Sequence, residues 1–205
     1  MKLIVLLLGI SLIGVFCEDD DGCDISRIEF CFFKYMWNFG YIETPSYDIY
    51  LNNTIDYLHV NGWKGQDNIC HWQKELHQCL GSSSKCVNTE VFERDLHLNK
   101  SDAMGYQTDY HIKQYHCTEG YNSLHNSFFC FMRVWTVQRA ELDVCQNLTD
   151  LSNPQDCTTV SNSATCTIEL FTRNCGMAIR HFICMSEDIE IKCNTQSCPM
   201  SVPHC

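Results

Sequence analysis

Proline is scarce in this chain of 205 residues, with four copies, and glycine is little commoner, with ten. No Ser-, Gly- or Pro-rich stretch divides the sequence, so the composition marks no linker and one compact domain is expected. Basic side chains are few as well. Fourteen Lys and Arg face twenty-five Asp and Glu, a formal charge of −11. Such a chain repels nucleic acid and anionic membrane surfaces, which argues against both as partners. Past the N-terminal stretch, no apolar run reaches the ~18 residues that suggest a membrane span. Catalytic signatures are missing too: there is no Gly-x-Ser-x-Gly elbow and no His-Glu-x-x-His helix. The Cys-Cys-x-x-His-Asp run of secreted phospholipases A2 is also absent, since Cys70-His71 is followed by Trp72 and Gln73.

What is abundant is cysteine. Sixteen in 205 residues is close to the ~8–10% that marks a disulfide scaffold in an exported chain. No Cys-x-x-Cys pair occurs, and structural zinc sites usually carry one, so disulfides are expected rather than metal. The N-terminus agrees with export. Lys2 precedes an uncharged stretch from Leu3 to Phe16, and Val15 and Cys17 stand at the −3 and −1 positions of a cleavage site. As a helix this stretch is about 21 Å long, too short for a ~30 Å hydrocarbon core. The expectation is a signal peptide over 1–17, a cysteine-rich helical domain over 18–190 and a cysteine-containing tail over 191–205. Phe16 is too bulky to precede a lipoprotein cysteine. Cleavage after Cys17 leaves fifteen of the sixteen cysteines, enough for seven bridges and one leftover thiol. Cys205, at the chain end, is the expected leftover, open to an intermolecular bridge. The disulfide candidates are Cys23, Cys31, Cys70, Cys79, Cys86, Cys117, Cys130, Cys145, Cys157, Cys166, Cys175, Cys184, Cys193 and Cys198. A cut after Gly14 would keep Cys17 and make the count even. Three sequons place N-glycosylation at Asn52, Asn99 and Asn147 and predict that these asparagines lie at the surface. The Glu18–Asp21 acidic run lacks the spacing of a calcium loop and reads as a solvated tail.

The apolar spacing is helical. Asp24 caps a predicted helix over Ile25–Phe39 that Gly40 stops. Its apolar residues go almost all round, as in a buried helix. Asp67 opens a second predicted helix through Ile69, Trp72, Leu76 and Leu80, ended by Gly81. Asn88 or Thr89 starts a short one, and Ser101–Cys117 forms another despite Gly105. Asn122–Cys145 reads as the longest, with Leu124, Phe128, Phe131, Trp135 and Leu142 inward. Thr167–Arg180 and a segment to Lys192 follow, broken near Gly176. Strands are at most a minor component. The fold class expected is mainly α, a disulfide-stapled helical bundle in one domain with little or no β.

Cys157, Cys166, Cys175, Cys184 and Cys193 recur every nine residues. In a continuous helix, neighbours in that series would lie about 13.5 Å apart on opposite faces, whereas bridged Cα atoms lie within about 7 Å. These cysteines must therefore reach other helices. The overall spacing resembles the nematode-expanded family of secreted cysteine-rich proteins called "domain of unknown function 19". Cys23 and Cys31 around an aromatic helix, Cys70-x8-Cys79-x6-Cys86, Cys117, Cys130 in a Phe-rich helix, Cys145, Cys175 and Cys184 carry the likeness. The resemblance implies an extracellular, mainly helical, disulfide-bonded domain, and no reaction or catalytic residue.

Three functional classes follow. The favoured one is a non-catalytic interaction module for an extracellular protein, with the tyrosine-rich segment Asn38–Val60 (Tyr41, Tyr47, Tyr50, Tyr57) as its surface. The second is a carrier of a small hydrophobic ligand or lipid, walled by Phe30, Phe32, Phe33, Met36 and Trp37 with Phe128, Phe129, Phe131, Met132 and Trp135. It requires an internal void of at least ~300 Å³. A small secreted hydrolase comes last. Metal and cofactor sites are not expected: His71 and His77 would lie about 120° apart on a helix, and His111 and His116 about 140°, both poor for chelation.

Overall fold

The computed structural model describes residues 23–148 and 157–195. The signal-peptide stretch, the acidic run, Cys198 and Cys205 lie outside these. Among the described residues there are eight α-helices and no strand. They are α1 Ile25–Trp37, α2 Tyr47–Leu80, α3 Thr89–Arg94, α4 Lys100–His116, α5 Tyr121–Val137, α6 Arg139–Gln146, α7 Cys157–Cys175 and α8 Arg180–Asn194.

Side-chain caps set several starts. Asp24 accepts from the Arg27 N–H at 3.0 Å, Asn88 from Val91 at 2.9 Å and Asn99 from Asp102 at 2.9 Å, each satisfying an orphan donor of a first turn. Ser46 provides no such bond at α2. Asp102 of α4 takes its place, accepting the Tyr47 N–H at 2.7 Å, so the start of α2 depends on α4.

Several expectations need correction. The second helix begins at Tyr47, twenty residues before Asp67, and bends at Gly62, whose φ of 58° lies outside the helical region. Its first arm buries Tyr50, Thr54 and Leu58, a four-residue spacing hidden among weak helix formers. The long helix predicted over 122–145 is divided between α5 and α6 at Gln138. The predicted boundary at 190 falls inside α8. Nor is α1 buried on all sides. Ile28, Cys31, Phe32, Tyr35 and Met36 are inward, but Phe30, Phe33 and Trp37 are 63%, 45% and 59% exposed.

Five disulfides staple these helices: Cys23–Cys86, Cys31–Cys79, Cys70–Cys117, Cys130–Cys175 and Cys145–Cys166, with Cα separations of 5.1–5.9 Å. Cys157 and Cys184 are disulfide-bonded as well. No neighbours of the nine-residue series pair in these five. Cys166 reaches α6 and Cys175 reaches α5 from opposite faces of α7. Cys193, expected in a bridge, is instead a free thiol.

The first three bridges stay within residues 23–117 and the other two within 130–175. The buried apolar side chains follow the same division. One core gathers around Ile28, Met36, Tyr50, Leu80 and Phe92, a second around Leu124, Leu142, Ile168, Phe171 and Phe182. A small third cluster of Leu58, Ile69, Phe128 and Met132 joins α2 to α5 across the seam.

Candidate functional site

The residues singled out from sequence scatter. Among the described residues no group of three or more His, Cys, Asp or Glu is placed to hold a metal ion. His71 faces solvent beside Glu75 at 3.6 Å, His77 Nδ1 meets the Tyr110 hydroxyl at 2.8 Å, and His111 lies near the Val87 carbonyl. The three sequon asparagines are exposed, Asn99 while capping α4. The tyrosine-rich segment expected as a recognition surface is mostly helix. Tyr50 is fully buried, and Tyr47 and Tyr57 pack on Tyr106 and Trp72 with ring centroids 5.4 and 5.5 Å apart. Spacings of three and seven residues put those rings on one face of α2, turned toward the core.

The aromatic residues of α1 and α5 do not face one another. Phe32 and Met36 belong to the first core, and Phe129 is exposed. Phe131, Met132 and Trp135 do line a void, but its other walls come from different helices. This cavity of about 310 Å³ lies on the seam between the two stapled halves and is partly open. From the first half, α2 contributes Leu51, Ile55, Leu58 and Ile69, and α4 contributes Met104 and Ile112. From the second come Leu142 of α6, Phe171 of α7 and Ile183 of α8. The surface is mainly apolar, as ligand cavities are.

Its acidic and basic side chains lie on α4 and α8 and divide into two kinds. Those of α4 are satisfied. Lys113 Nζ lies 2.7 Å from Asp109 Oδ2 and donates to the Tyr50 hydroxyl, which bonds Tyr35 at 3.0 Å and Asp109 at 3.2 Å. Burial pulls the ammonium down, but Asp109 and Tyr35 outweigh it and hold Lys113 above its ordinary range. His116 Nε2 meets Ser186 Oγ of α8 at 2.9 Å. Burial, helped by the Lys113 charge, pushes the imidazole down to about 3, so the ring is neutral.

The second kind is not satisfied. Glu187 and Glu190, one turn apart on α8, both line the cavity. Burial raises both carboxyls, and the charge of Glu190 raises Glu187 further. Among the described residues no hydrogen bond or ion pair engages either carboxyl. Trp135, on the α5 wall, keeps an indole N–H shielded from solvent with no acceptor. Two half-buried carboxyls that face an apolar void without a partner make it the molecule's candidate binding site.

Sequence reasoning missed Lys113, Asp109, Ser186, Glu187 and Glu190. A signal was present in α8: Ile183, Glu187, Glu190 and Asn194 form one stripe of 4-3-4 spacing, with carboxylates where the period calls for inward residues. Comparison with family models, curated proteins and solved structures finds no match.

Proposed function

We propose that this chain is a secreted, non-catalytic binding protein whose cavity carries a small apolar ligand. The observation that carries this reading is the void of about 310 Å³ walled by six helices, a size at which ligand sites begin and well above a packing defect. Export through a cleaved signal peptide, glycosylation of Asn52, Asn99 and Asn147, and membership of the nematode family it resembles are parts of the same proposal. The density of disulfides supports the compartment. Carriage moves ahead of protein recognition because the tyrosines that would have formed the recognition surface are packed inward.

The test is extraction of the full chain after secretion from a eukaryotic host, with native mass spectrometry before and after extraction. A co-purifying apolar molecule, or saturable uptake of decanol by the extracted protein with quenching of tryptophan fluorescence, is expected. A protein that emerges empty and takes up no decanol overturns the reading.

A further inference from the structure

Which apolar ligand the cavity takes is written in its charge. The charged or ionisable lining groups are Tyr47 on α2, Asp109, Lys113 and His116 on α4, and Glu187 and Glu190 on α8; α5, α6 and α7 contribute none among the described residues. Lys113 and Asp109 cancel each other at 2.7 Å. The ammonium is further held by Tyr50, with its ring centroid 4.5 Å away. An anionic head would have to break this buried pair, which leaves Asp109 uncompensated and is unfavourable. His116 is neutral and bonded to Ser186. The remaining charge capacity is negative: two carboxyls, one helical turn apart, and among the described residues the void is lined by no cation besides the already paired Lys113.

We infer that the cavity takes a protonated amine on an apolar body, its ammonium seated at Glu187 and Glu190; this rests on the reading of the cavity as a ligand site. An ammonium between two carboxyls offers the opposite charge the wall lacks and supplies donors to both in a weakly screened space. Uncompensated carboxyls in such surroundings stay protonated or unfavourably charged. A bound cation turns them into ionised partners. The aromatic faces of Tyr47, Phe131 and Phe171 around the same void suit the body of such a ligand and accept cationic character.

The experiment is calorimetric titration of the extracted full chain at neutral pH with decylamine, decanol and decanoate, repeated on the double variant Glu187→Gln, Glu190→Gln. Decylamine is expected to bind at least about tenfold more tightly than decanol, and the variant to lose that advantage. A cooperative thermal melt and unchanged helical circular dichroism of the variant show that it is still folded. Amine and alcohol binding equally, the variant keeping its preference for amine, or decanoate binding best each overturn the amine inference while leaving apolar carriage intact. Failure of all three ligands overturns the carrier reading itself.

Discussion

His116 is held between the ring of Phe182, with centroids 4.6 Å apart, and the Ser186 hydroxyl, on the seam where α4 meets α8. Its pKa falls from 6.5 to about 3 on folding. The unfolded chain therefore binds the proton first as acid is added. This part of the stability is present above the unfolded value and is lost as pH falls from about 6.5 toward 3. Glu187 and Glu190 act in the opposite sense. Their folded values lie above the ordinary glutamate value of 4.5, so they favour the folded state most where both are protonated. Their contribution declines as pH rises through 4.5 toward those raised values. Between 4.5 and 6.5 both effects make the empty protein depend on pH, with opposite slopes. Replacing His116 with Gln, which keeps a partner for Ser186, should flatten the acid side and leave the decline above pH 4.5. Thermal melts across pH 3–7 read this directly. If the variant loses stability toward acid as steeply as the parent, the imidazole is not neutral in the fold.

Among the elements, α4 carries the most constraint, because both halves and the cavity lean on it. At Gly105 a methyl group would stand 2.3 Å from Tyr47 Cδ1, closer than non-bonded carbons approach. Gly105→Ala gains roughly 1 kcal/mol of helix propensity but drives the Tyr47 ring off α4, at about 1–3 kcal/mol. The clash involves ring atoms, not a flexible tip, so a net loss of stability and a lower melting temperature are expected. An equal or higher melting temperature means that Tyr47 does not dock there. This glycine, which weakened the sequence case for a helix, is the residue that lets α2 and α4 meet. Elements with explicit caps or stops were legible: Asp24 before α1, Asn88 before α3, Gly81 after α2 and Gly176 after α7. The first arm of α2 was not. Its start is capped by Asp102, 55 residues away, and its core face is built from Tyr, Thr and Leu among Asn and Asp. The break at Gln138 has no Gly or Pro to announce it. The cavity could be read only in part, as Phe131, Met132 and Trp135, because a void is set by where six helices stop short of one another, which no single helix encodes.

At the scale of the molecule, each of the five defined disulfides ties one half to itself, and none of the five crosses the seam. Each such bridge contributes roughly 2–4 kcal/mol by restricting the unfolded chain, so each half is covalently secured. Side-chain contacts, chiefly of α4 with α8 and of α2 with α5, join the two. A void placed on such a joint is expected to fill and empty by small movements of the two stapled halves, without breaking either core. Cys193 reports on that joint. It lies on α8 against the side chains of Gln107 and Thr108 of α4, and burial pushes its thiol up. Thr108 also donates to Asn194 of α8 at 3.1 Å. Because thiolate is the reacting form, alkylation at neutral pH should be slow while the halves stay closed and fast in denaturant. A bound apolar ligand, by adding contacts to both halves, should slow it further, in proportion to occupancy. Mass-spectrometric timing of Cys193 alkylation, with and without decanol, measures this. Labelling as rapid as for an exposed thiol, or indifferent to a ligand shown to bind, would mean that the seam is not the route by which the cavity opens.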